Sequence, residues 1–106
     1  IASLALVGGA PAVADEPVAA AEIWRQKCGS CHGPDGKGQT RMGQRLRIRD
    51  LTDPAVQDSF TDEQAFKAVR EGVVDAASGR TTMKAVEGLS DAEVNALIAY
   101  MRAMRP

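Results

Sequence analysis

Residues 24–38 read WRQKCGSCHGPDGKG. Cys28 and Cys31 stand three apart, and His32 follows immediately. The chain of 106 residues has no other cysteine and no other histidine. Four chemistries use such a cluster. A structural zinc site needs four ligands, so carboxylates would have to complete it. A redox dithiol of the thioredoxin type needs a βαβ setting, and the flanking sequence reads as helix. A plain disulfide across two residues closes a tiny loop and adds little stability, because that gain grows with loop size. Covalent haem attachment uses all three residues, and C-x-x-C-H is its signature. Each thiol adds to one porphyrin vinyl group, and the next residue lies under the iron, with His32 as the proximal ligand.

The composition agrees with a chain built around something large. It is long enough for one small domain, yet its aromatics are only Trp24, Phe60, Phe66 and Tyr100. Domains of this size often need a staple to supplement their core. Thirteen basic residues face fourteen acidic ones, a balance that gives no reason to expect a nucleic acid or an anionic membrane surface as partner.

Residues 1–14, IASLALVGGAPAVA, are uncharged and end in a small-residue pattern. They read as the remnant of a secretory signal peptide or a flexible leader, and are too short for a membrane span, which takes about 20 apolar residues. Residues 15–106 are then the working domain, exported to the periplasm or an equivalent compartment.

Three main helices are expected. The first covers about 18–27, with Ala20, Ile23 and Trp24 on one face and Pro17 tolerated at its first turn. The second covers about 62–71, with Thr61 and Gln64 as a capping box and Gly72 as its stop. The third covers about 91–104. Ser90 and Glu93 cap it, and Val94, Leu97, Ile98 and Met101 follow amphipathic helical spacing. The connections 33–60 and 72–89 read as long loops. Loops of that length are uncommon in compact domains unless functional, so both are expected to wrap a bound group.

These motifs resemble the class I monohaem c-type cytochromes over about residues 18–104. The resemblance rests on Ala20, Trp24 and Cys28 at four-residue spacing, on CHGPDGKG (31–38), and on LSDAEVNALIAYMRAM (89–104). It implies an all-α, cytochrome c-like fold: three main helices and long loops around one covalent haem c. The first and last helices would pack together, with Trp24 against Tyr100 and Ala20 at their close approach. Met42, Met83, Met101 and Met104 are the candidate distal ligands. Met101 falls on the apolar stripe of the last helix and Met104 at the chain end, whereas Met42 and Met83 fall in loops. The family's ligand lies in the loop before the last helix, which selects Met83. The resemblance also implies that Thr81 helps to hold the haem crevice and that Leu46 packs on the ring. The Gln44 carbonyl is expected to accept from the His32 ring N–H, as second-shell partners of a ligating histidine do.

The function this implies is one-electron transfer without catalysis. Its partners would be redox proteins or membrane respiratory or photosynthetic complexes, met by transient docking. The alternatives are a haem subunit of a fixed complex, or a gas sensor or weak peroxidase with a vacant or labile sixth site. The charges from Arg41 to Glu63 read as a solvated surface, with a steering role as the rival reading.

Overall fold

The computed structural model describes residues 16–106; the expected leader lies outside them. Helix α1, Glu16–Ile23, runs without a break into a π-helical turn, Trp24–Cys28, and then into the single turn α2, Gly29–His32. The Gly29 N–H donates to the Trp24 carbonyl, five residues back. Gly33, at a φ of 84°, ends the run. The first helix is therefore longer than the expected 18–27 and carries the whole C-x-x-C-H motif on helical backbone.

The connection 33–60 is not the extended loop expected from its sequence. It holds α3, Arg41–Leu46, and α4, Pro54–Gln57. Thr40 caps α3 and Asp53 caps α4, where the Asp53 carboxylate accepts from the Ala55 N–H at 2.9 Å. The alternating run from Arg45 to Arg49 divides at Arg47, whose left-handed backbone (φ 57°) closes α3. Helix α5, Asp62–Glu71, carries the expected capping box of Thr61 and Gln64. The second connection contains a small antiparallel hairpin: β1, Val73–Val74, against β2, Thr81–Met83, with Val73 paired to Met83. Helix α6, Asp91–Arg102, is capped by Ser90 and Glu93.

The core lies between the first helical run and α6. Ala20, Trp24 and Cys28 pack with Val94, Leu97, Ile98 and Met101, all buried. Ala20 is 2% exposed and lies on α1, which packs against α6. The Trp24 and Tyr100 rings lie 5.8 Å apart, tilted by 47°, a favourable aromatic geometry. Trp24 Nε1 donates to the Gly33 carbonyl at 2.9 Å, so the indole also fixes the end of α2.

The connection 33–60 is pinned to α6 by two polar side chains. Gln57 is fully buried, and its amide donates to the carbonyls of Leu51 (2.8 Å) and Met101 (3.1 Å). Arg102 reaches back to the Phe60 and Gln57 carbonyls and to Asp62, with its guanidinium 4.7 Å from the Phe60 ring centre. These donors satisfy carbonyls of irregular backbone, while the Gln57 Oε1 itself is buried without a hydrogen-bond partner.

Candidate haem site

The helical run delivers Cys28, Cys31 and His32 to one end of the core. Both cysteines are free thiols; Cys28 is buried and Cys31 half-buried. Burial, and then the neighbouring Cys31, push the Cys28 thiol up to about 11. Burial also holds His32 below the usual imidazole range, which favours the neutral form that can bind a metal. Its ring lies 5.6 Å from that of Trp24.

Two adjoining spaces open from these residues. The inner one, about 230 Å³, is walled by Trp24, Phe60, Val69, Leu97 and other core side chains. The outer cleft, about 820 Å³, runs between the attachment turn, α3 and the hairpin segment, a size usual for a small-molecule site. Cys28, His32 and Met83 border both spaces. Leu46 and Thr81 line the outer cleft, Leu46 half-buried and Thr81 exposed. Of the methionines, Met42 lines only the outer cleft and Met101 only the inner space, while Met104 lies against Gly36.

His32 Nδ1 is buried and has no hydrogen-bond partner. The expected bond to the Gln44 carbonyl is not formed. Residues 41–46 are helical rather than extended, and that carbonyl instead accepts from the Arg47 N–H at 3.3 Å. The sequence reading also passed over Thr40 and Gly43. The Thr40 hydroxyl donates to the Cys31 carbonyl at 2.6 Å and accepts from the Gly43 N–H at 2.8 Å, joining α3 to the attachment turn. A Cβ at Gly43 would lie 2.2 Å from the Gly38 carbonyl oxygen and 2.8 Å from that of Cys31, so only glycine allows this approach. The sole sequence signal was a hydroxyl residue standing before a potential short helix.

The residues present fit a covalently held porphyrin. Two free thiols at the right spacing open on the cleft, an orphaned neutral imidazole stands beside them, and the walls are mostly apolar. A small helical domain with this arrangement is a c-type haem protein in its class. The family model described as cytochrome c matches residues 18–105. The solved structure of KustC0563, a c-type cytochrome, superposes with a TM-score of 0.70 at 27% identity, covering 82% of this chain and 98% of that one. A variant of that protein superposes at 0.67 with 28% identity, covering 81% and 98%. Among curated proteins, none matches this sequence significantly. The chain belongs to the cytochrome c family of electron-transfer proteins. Its cofactor is covalent haem c with its iron, and residues 28–32 fit the C-x-x-C-H attachment pattern.

Proposed function

We propose that the protein is a one-electron carrier, with thioethers at Cys28 and Cys31 and the iron held between His32 and Met83. The observation that carries this reading is that Met83 is the one methionine bordering both spaces that Cys28 and His32 border. Haem c supplies a one-electron iron couple, and two protein ligands leave no position for a substrate. His32 contributes a neutral imidazole, and Met83 a thioether, which favours the reduced state relative to a second histidine. The apolar walls act in the same direction, because the more charged oxidised state loses more on desolvation. The midpoint potential is therefore positive. Leu46 packs on the ring and Thr81 helps to close the crevice.

Residues 15–106 form the cytochrome domain in this reading, behind a secretory leader at 1–14, and the protein works in the periplasm. Among the described residues no helix is long and apolar enough to cross a membrane. Partners are larger redox proteins or membrane redox complexes that dock briefly, through interfaces under about 1,200 Å². Met83→Ala should abolish the methionine-to-iron charge-transfer band of the oxidised protein, allow carbon monoxide to bind the reduced protein at neutral pH, and lower the potential. If the band survives Met83→Ala and vanishes in Met42→Ala, the ligand assignment is wrong.

A further inference from the structure

Gln57 ends the four-residue helix α4 and is fully buried. Its amide nitrogen donates to two carbonyls, those of Leu51 and Met101, while its Oε1 has no partner among the described residues. An orphaned buried acceptor is costly, and an apolar side chain of similar shape avoids that cost. Stability alone therefore does not account for a glutamine here. What a side-chain amide supplies is two hydrogens on one uncharged nitrogen, at a depth where a lysine or arginine cation would be desolvated.

The carbonyls it holds belong to the haem site. Leu51 lines the inner space from connection 33–60, and Met101 lines it from α6. The other residue that this connection sends into that wall is Phe60, whose carbonyl accepts from Arg102 at 2.8 Å. The same guanidinium donates to the Gln57 carbonyl and to Asp62, so the two clasps are joined. The Leu51 N–H donates to the Gly36 carbonyl at 2.8 Å, in the turn that follows the attachment motif. Both backbone polar groups of Leu51 are thus fixed. Helix α4 is about one turn long and cannot hold its own place.

We propose that Gln57 and Arg102 are positioning residues of the haem site: by clasping the carbonyls of Leu51, Phe60 and Met101 they keep the inner space closed to water and small ligands, and so hold up the iron's potential and guard its sixth position. The proposal rests on the carrier reading and adds the residues that control it. Water admitted past Leu51 or Phe60 solvates the more charged oxidised state and lowers the potential. An incoming ligand needs the same opening, because Met83 borders the inner space. Both properties follow local opening of this wall rather than the stability of the whole domain.

The test compares the haem-loaded wild type with Gln57→Leu, Arg102→Lys and Ser90→Ala. Gln57→Leu removes both donors. Arg102→Lys keeps the charge but cannot hold two carbonyls and Asp62 at once. Ser90→Ala removes the cap of α6 and lines neither space, so it lowers stability without touching the clasp. The readouts are the midpoint potential and the rate at which imidazole binds the oxidised iron, followed by absorbance. Gln57→Leu and Arg102→Lys should each speed imidazole binding by about tenfold, the ratio set by roughly one net hydrogen bond. Each should also shift the redox equilibrium by about threefold toward the oxidised form. Ser90→Ala should lower the melting temperature and leave both readouts at the wild-type value. In the wild type, both hydrogens of the Gln57 side-chain amide should exchange slowly with solvent by nuclear magnetic resonance. Fast exchange of that amide overturns the clasp, as does a Gln57→Leu protein with wild-type potential and imidazole rate. Equal shifts in Ser90→Ala overturn it too, since they would make the effect one of stability. Where Gln57→Leu fails to fold, Arg102→Lys and the amide exchange decide. Immediate imidazole binding by the wild type, with no methionine-to-iron band, overturns the Met83 ligation instead, and the amide exchange and the potentials still judge the clasp.

Discussion

The substitution Thr40→Val isolates the bond that couples α3 to the haem-attachment turn. Thr40 has extended backbone (φ −121°, ψ 168°), which valine adopts as readily, so the change deletes a hydroxyl and leaves the chain path intact. Two interactions go with it. The N-cap bond to the Gly43 N–H is lost, at a cost of about 1 kcal/mol. The Cys31 carbonyl also loses the hydroxyl that donates to it at 2.6 Å, and orphaning a buried acceptor costs about 1–3 kcal/mol. Thr40 is half-buried, so the second figure belongs near its lower end and the total near 2 kcal/mol. For a domain of this size that lowers Tm by roughly 8–16 °C. The assay is a far-UV circular dichroism melt of the oxidised holoprotein. Thr40→Ser keeps both bonds and should recover most of the loss. A valine variant melting within about 2 °C of wild type, or a serine variant no better than valine, would show that this hydroxyl does not brace the turn.

Gly43→Ala must move backbone, since its Cβ meets the carbonyls of Gly38 and Cys31; about 3 kcal/mol or more of stability should go, read as a lower urea midpoint. The Asp50 carboxyl lies below the usual carboxylate range because the Thr52 hydroxyl and N–H donate to it. Its stabilisation is complete above the ordinary carboxylate pKa and is lost as pH falls through the lowered value, so Asp50→Asn should flatten the acid limb of Tm against pH; superimposable limbs would contradict this. Removing the haem by cleaving the thioethers should abolish the cooperative melt, because the buried apolar core among the described residues is small. A sharp transition in the apoprotein, followed by Trp24 fluorescence, would refute that dependence.

Helices α5 and α6 were legible because each announces itself twice. A capping box marks the start, at Thr61–Gln64 and at Ser90–Glu93, and apolar residues then repeat at helical spacing. The attachment motif was legible because its spacing is chemically specific and no other cysteine or histidine competes with it. What could not be read is structure too short to show a period. Helix α3 has six residues and α4 four, less than two turns each, so Thr40 and Asp53–Pro54 offered caps with no stripe behind them. The hairpin strands have two and three residues, too few for alternation to be seen. The Gln44 expectation failed through the same blindness: it assumed extended chain where α3 turns the carbonyl toward Arg47. Gln57 and Arg102 were hidden for a different reason, since their partners are backbone carbonyls that only the fold brings near.

The π-helical turn explains why one stretch of chain can serve both core and cofactor. Ala20, Trp24 and Cys28 are spaced by four residues, and each such step overshoots one α-helical turn by about 40°. Two α-helical steps would carry Cys28 well round the helix from Ala20, away from α6. The wider turn over Trp24–Cys28 undershoots instead, and all three side chains remain buried on the α6 side. Cys28 is thus the last residue of the core stripe and also borders both spaces of the cleft. Normal winding resumes at Gly29, which leaves His32 four residues beyond Cys28 on the same side of the helix. One attachment point is therefore as rigid as the helix packing that buries Trp24, while Leu46 and Met83 arrive on the two long connections. Wide turns of this kind concentrate at functional sites, and here the turn aligns a structural stripe with a chemical one.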